Sequence, residues 1–232
     1  MIPLGPWLEH LERHLPLALS GEDSEGVHQV RVAGRRLRVW LWLGRYRVLG
    51  EDLGWLVRGL GPLRDLEVLL QIGPPPPLAN WLRRQREEAR GKALILLQSP
   101  RLEGLLQALR TLPPLETGRA GRRLERLEIR AGQALEACRQ DPTPEALHTL
   151  RRALRRLRYA REYLGKGTKE LKTLQEVLGA FQDLTVALAH LEAFEREAKP
   201  LPRYRQALQR RREKAWAEVQ RALLDRALTS VP

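Results

Sequence analysis

The sequence is poor in the residues that staple, decorate or anchor a fold. One cysteine, Cys138, in 232 residues excludes an intrachain disulfide and a cysteine zinc cluster. Aromatic residues make up 5% of the chain, and nothing interleaves them with basic residues in the way that stacks nucleic-acid bases. Apolar–polar alternation never persists beyond a few positions, so no strand competes with helix. No apolar run approaches membrane-spanning length. The N-terminal MIPLGPWLEHLERHLPLAL lacks the basic-then-apolar order of a signal peptide. These absences lead us to expect a soluble, cytoplasmic protein with no membrane partner. Acids are scarce as well: 28 Asp and Glu face 41 Lys and Arg, a net charge of +13 at pH 7. That excess calls for an anionic partner or surface. It is carried mostly by arginine, whose rigid multi-donor fork suits phosphate oxygens.

What is present is a repeat. VHQVRVAGRRLRVWLWL at 27–43 returns as LHTLRRALRRLRYAREYL at 147–164. His28, Arg31, Arg35, Arg36, Leu37 and Arg38 reappear 120 residues on as His148, Arg151, Arg155, Arg156, Leu157 and Arg158. A second pair follows, LGPLRDL at 60–66 and LGAFQDL at 178–184. There Leu60, Gly61, Asp65 and Leu66 recur 118 residues on as Leu178, Gly179, Asp183 and Leu184. Ordered spacing across two elements marks a duplicated unit, with repeats at about 1–112 and 115–230 within one domain, 1–232.

Taken in order, leucines at 4, 8, 11 and 15 predict a helix that Pro16 closes or kinks. An acidic lead-in at 22–25 then caps the first arginine helix. At 100° per residue, His28, Arg31, Arg35, Arg38 and Trp42 share one side of it, Val30, Ala33, Leu37, Trp40 and Leu41 another, and Arg36 lies apart. Surface helices normally mix charge signs, since like charges four apart repel. An acid-free stripe is either tolerated at small cost or kept for an anion.

Residues 50–61 read as a short segment broken by Gly54 and Gly59, and 60–70 as helix. After a proline connector at 73–77, helices are predicted at 79–97, 102–109 and 117–139. The second arginine helix, 145–164, has His148, Arg151, Arg155 and Arg158 on one side and Leu147, Leu150, Leu154 and Leu157 on the other. A helix at 169–190, bent near Gly179, carries Lys172, Gln175 and Asp183 as its polar set, and a last helix runs from 203 to 229. The fold class is all-α, a duplicated helical bundle.

The histidines are read as fixing their helix starts by hydrogen bonds or as touching the anion. With Asp65 and Asp183 they have no metal-ligand spacing, so neither metal nor cofactor is assigned. The aspartates are read as supports that orient arginines or caps. They lack a neighbouring nucleophile, which leaves no acid–base pair.

The paired motifs His-x-x-Arg-x-x-x-(Arg/Lys)-(Arg/Lys)-Leu-Arg and Leu-Gly-x-x-x-Asp, each present twice and in order, resemble those of the CHAD family, the conserved-histidine α-helical domain. The resemblance covers nearly the whole chain. It implies two four-helix bundles related by pseudo-two-fold symmetry, with a basic channel between them that binds inorganic polyphosphate. It also implies residence on polyphosphate granules and a polyphosphate-metabolising enzyme as partner. The implied ligand set is His28, Arg31, Arg35, Arg36, Arg38, His148, Arg151, Arg155, Arg156, Arg158 and Lys172. Arg83, Arg84, Arg90, Arg210, Arg212 and Lys214 would line the channel further, with Asp65, Asp183 and Gln175 in support. The halves depart from one another where Arg64 becomes Gln182 and Lys172 falls opposite Gly54.

The expected function is non-catalytic polyphosphate binding. Sequence-blind nucleic-acid binding is permitted by the charge, but no helix-turn-helix or zinc finger favours it. Phosphotransfer lacks the clustered carboxylates that hold catalytic divalent ions. An adaptor role for a triphosphate-processing enzyme stays open.

Overall fold

The structure is a computed structural model and describes residues 1–225. Among these, every regular element is an α-helix, apart from one isolated antiparallel bridge between Ile2 and Leu115. The chain divides into two compact units, Met1–Ala120 and Gly121 onward.

Unit 1 is built from α1 (Gly5–Ser20), α2 (Ser24–Gly44), α3 (Arg47–Gly59), α4 (Gly61–Gln71), α5 (Pro76–Leu97) and α6 (Pro100–Arg110). Pro16 does not end α1. The helix runs one more turn to a left-handed Gly21 (φ 67°), whose N–H reaches the Leu17 carbonyl. α2 packs on α1 and α3, and α4 packs on α5. Gly26 is buried where α2 meets α1, and a Cβ there would lie 2.4 Å from the backbone nitrogen of Ala18. Trp40 is fully buried in the core, stacked on Tyr46 at 5.9 Å, and its indole N–H donates to the Ile2 carbonyl at 3.2 Å.

The segment 50–61, expected to be broken at Gly54 and Gly59, belongs up to Gly59 to one continuous helix, α3. Leu53, Leu56 and Val57 bury its inner face, and that packing outweighs the low propensity of Gly54. A break does occur at Leu60, just before Pro62. Proline has no N–H to give to the preceding turn. In the second repeat Ala180 stands at the matching place, and the helix there, Lys169–Glu197, runs unbroken through Gly179.

Unit 2 comprises α7 (Thr117–Gln140, whose first turn holds the unit boundary), α8 (Pro144–Tyr163), α9 (Lys169–Glu197) and α10 (Pro202–Leu224). The expected continuation of α10 to 229 lies outside the described residues. Leu147, Leu150, Leu154 and Leu157 of α8 are all buried, as their spacing predicts. α9 packs on α8 and α10. By length and composition α9 could cross a membrane, a property that core helices of soluble proteins share.

Candidate anion-binding site

Both arginine helices begin with a side-chain cap. Asp23, extended at φ −127° and ψ 131°, accepts from the Glu25 N–H at 2.8 Å. Thr143 accepts from the Ala146 N–H at 3.2 Å, with Pro144 opening α8. The histidines take no part in this. Neither His28 nor His148 makes a side-chain hydrogen bond among the described residues, which corrects the reading of them as start-fixing groups. Burial lowers the pKa of His28, and Arg64, Arg35 and Arg31 lower it further against the opposing pull of Glu25. Burial followed by Arg152, Arg151 and Arg155 does the same to His148. Both rings sit in positive surroundings that disfavour protonation.

On α2 the stripe residues also fasten the helix to α3. Arg31 donates through Nη1 to the Val57 carbonyl in the last turn of α3, where helix carbonyls lack partners and carry partial negative charge. Arg38 donates through Nε to the Gly50 carbonyl at 3.2 Å. Gly54 leaves room for that fork, since a Cβ there would lie 3.2 Å from Arg38 Cζ. Burial and then Arg35 pull the Arg31 pKa down to about 10, so it stays protonated at neutral pH. Arg35 is half-buried and makes no hydrogen bond or ion pair among the described residues, and its Nε is buried and unsatisfied. Arg36 leaves the stripe, as its angle predicts, and lies over the Trp7 ring at 4.0 Å.

On α8, Arg151 and Arg155 are half-buried. Arg158 lies over the Tyr159 ring at 5.0 Å with Nε 3.6 Å from Glu162 Oε1. Arg156 is again set apart, and its pKa is lowered by burial and then by Arg152 and Arg130. On α9, the Lys172 Nζ stands 3.9 Å from Glu176 Oε1, and the Gln175 amide nitrogen is buried without a hydrogen-bond partner.

The remaining expected residues divide. Arg83 and Arg84 on α5 are exposed, Arg83 giving Nη1 to Asn80 Oδ1 at 2.7 Å. Arg90 turns inward and donates to the Leu19 and Ser20 carbonyls at 3.1 and 2.7 Å, closing the C-terminal end of α1. Arg210, Arg212 and Lys214 are exposed on α10 and form no ion pair among the described residues. Asp65 and Asp183 are both exposed, and Asp65 bears on Arg31 through charge, raising its pKa.

The buried acid in unit 1 is Glu67, which sequence reasoning missed. Its Oε2 is 3.6 Å from Arg64 Nη1, with side chains 4% and 15% exposed. The available signal was an acid inside the apolar run LRDLEVLL. No group of three or more His, Cys, Asp or Glu able to hold a metal ion occurs among the described residues.

A family model for the CHAD domain matches residues 4–192. The chain belongs to the CHAD family. The CHAD domain of the plant Ricinus communis has a similar fold, with a TM-score of 0.68 and 27% identity over 98% of this chain and 87% of that one. PptA from Streptomyces chartreusis shares the fold at a TM-score of 0.67 and 21% identity, over 97% of this chain and 94% of that one. Two proteins of Mycobacterium tuberculosis, from strains CDC 1551 and H37Rv and both named as uncharacterized, are 27% identical over 75% of this chain. The matched part is 41% of each relative, so this CHAD chain spans about two-fifths of their length.

Proposed function

We propose that this CHAD protein binds inorganic polyphosphate and does not process it. The observation that carries the reading is the same in each unit: one helix face presents a histidine and three arginines at matching positions, and burial together with neighbouring arginines lowers the pKa of both histidines. Phosphate oxygens would meet guanidinium groups arranged this way through charge-assisted hydrogen bonds. In unit 1, Arg35 is the side chain most available for this, while Arg31 gives Nη1 to the Val57 carbonyl and Arg38 gives Nε to the Gly50 carbonyl of α3. In unit 2 the corresponding group is Arg151, Arg155 and Arg158.

A polyanion long enough to engage both stripes would be held more tightly than by either alone. The protein would then reside in the cytoplasm, on polyphosphate granules, and could hand its ligand to a polyphosphate- or triphosphate-processing enzyme.

Titration of the full chain at physiological salt with polyphosphate of defined length, and in parallel with duplex DNA, tests the reading. Tighter binding of polyphosphate per phosphate supports it. Equal binding of both would point to sequence-blind nucleic-acid contacts instead, and no binding of polyphosphate would remove it. Orthophosphate release with Mg²⁺ or Mn²⁺ would show an enzyme.

A further inference from the structure

The ion pair between Arg64 and Glu67 has no counterpart in the second repeat. At the positions 118 residues on stand Gln182 and Thr185, so both charges are replaced together. Thr185 closes on its own helix, giving its hydroxyl to the Phe181 carbonyl at 3.0 Å. A CHAD unit thus packs this helix without the charged pair.

The pair is also badly made as a structural bridge. At 3.6 Å, Arg64 Nη1 and Glu67 Oε2 form no hydrogen bond, and both atoms are buried without another partner. Burying a carboxylate this way costs free energy that a well-packed neutral residue would not. Burial indeed pushes the Glu67 pKa up, against the opposing charges of Arg64, Arg86 and Arg90.

Its surroundings show a use. Arg31 reaches the first turn of α4, where a Cβ on Gly61 would lie 3.1 Å from its Nη1. Gly61 precedes Arg64 by one turn of that helix. Arg31 Nε, Arg35 Nε and Arg64 Nη1 are all buried donors without acceptors. Arg64 and Arg35 also both act on Arg31 and on His28 through charge. Three guanidiniums with unmet N–H groups therefore gather in unit 1, and the buried Glu67 behind them, with the exposed Asp65, offsets part of their repulsion.

We infer that Arg64, braced from below by Glu67, is a phosphate-gripping residue that makes unit 1 the tighter-binding half of the CHAD anion site. The inference rests on the polyphosphate reading above. The ligand class is a phosphate group of a short or long polyphosphate, taken by the Arg31–Arg35–Arg64 cluster.

The test is isothermal titration of the full chain with tripolyphosphate and with long-chain polyphosphate. The double variant R64Q/E67T gives unit 1 the residues that unit 2 already tolerates. With helicity checked by circular dichroism, we expect it to bind tripolyphosphate about tenfold more weakly, the scale of one lost charge-assisted contact. R64K, which keeps the charge but loses the fork, should weaken binding roughly several-fold. Wild-type affinity in folded R64Q/E67T overturns the inference. Should that variant fail to fold, R64K decides, and wild-type affinity there overturns it equally. If the wild-type chain itself binds no polyphosphate, it is the proposed function that fails, and this inference with it.

Discussion

Arg161 of α8 donates from Nε and Nη2 to one carboxylate oxygen of Glu128 of α7, at 3.1 and 2.9 Å, with the side chains only 12% and 14% exposed. This pair fastens the second signature helix to its neighbour. Arg139 adds a link elsewhere in unit 2, donating to the Leu223 carbonyl at 2.8 Å near the end of α10. CHAD arginines therefore have two occupations, and the first prediction separates them. Arg161→Ala leaves Glu128 largely buried without its partner, a change that costs about 3 kcal/mol. Urea unfolding of R161A should show that loss. The double variant R161M/E128L should regain most of it, because a packed apolar pair replaces the buried charges. Full stability in R161A would show the pair to be worth no more than a surface bridge.

A second prediction concerns the stripe itself. The inner face of α8 is leucine, and Arg151 and Arg155 lie half-buried outside it. R151E/R155E should therefore keep the wild-type helicity and weaken polyphosphate binding by at least about tenfold. The slope of log affinity against log salt should also become shallower, as fewer phosphates are neutralised. Collapse of the helical signal would instead make these arginines structural.

Much of this was legible from residue order. The 100° projection separated Leu147, Leu150, Leu154 and Leu157 from the arginines of α8, and it set Arg36 apart from the stripe, where Trp7 receives it. The repeat located both signature helices. What could not be read was the destination of each guanidinium. An arginine has five donors and a long stem, and a stripe position does not say whether they go to ligand or to a carbonyl. Arg31 and Arg38 reach α3, and Arg90 closes α1, through contacts set only once those helices pack. Glycine misled in one place and was overlooked in another. Gly54 looked like a break, yet it sits in a helix and makes room for Arg38; Gly26, just after the acidic lead-in, is a contact between helix backbones.

That contact gives the third prediction. A Cβ at Gly26 would lie 2.4 Å from Ala18 N and 2.5 Å from Leu17 C, both backbone atoms that cannot rotate aside. Gly26→Ala should raise local helix propensity but force α1 and α2 apart. The steric term wins, and the variant should lose about 1–3 kcal/mol or more. A lowered thermal midpoint in G26A, beside a raised one in G91A, where a Cβ inside α5 would meet nothing within 4 Å, would confirm the distinction.

The last prediction follows from the two histidines. Burial comes first and neighbouring arginines second in lowering the pKa of His28 and His148, so both rings are neutral at pH 7 in the free protein. Their folded pKa values lie below the unfolded 6.5, so the unfolded chain binds protons that the folded chain refuses. Stability is full above the unfolded value and falls as pH drops below it, until the lowered folded values are passed. A phosphate chain beside these rings reverses the sign, because its charge favours the imidazolium and raises both pKa values in the complex. Polyphosphate binding must then take up protons, and affinity for long-chain polyphosphate should rise as pH falls from about 8 to about 5.5. H28Q/H148Q keeps the ring positions polar but cannot titrate, and it should flatten both trends: less acid destabilisation without ligand, and less gain in affinity with it. An unchanged pH dependence of binding in H28Q/H148Q would mean that neither ring touches the anion's field, leaving the arginines alone to hold it.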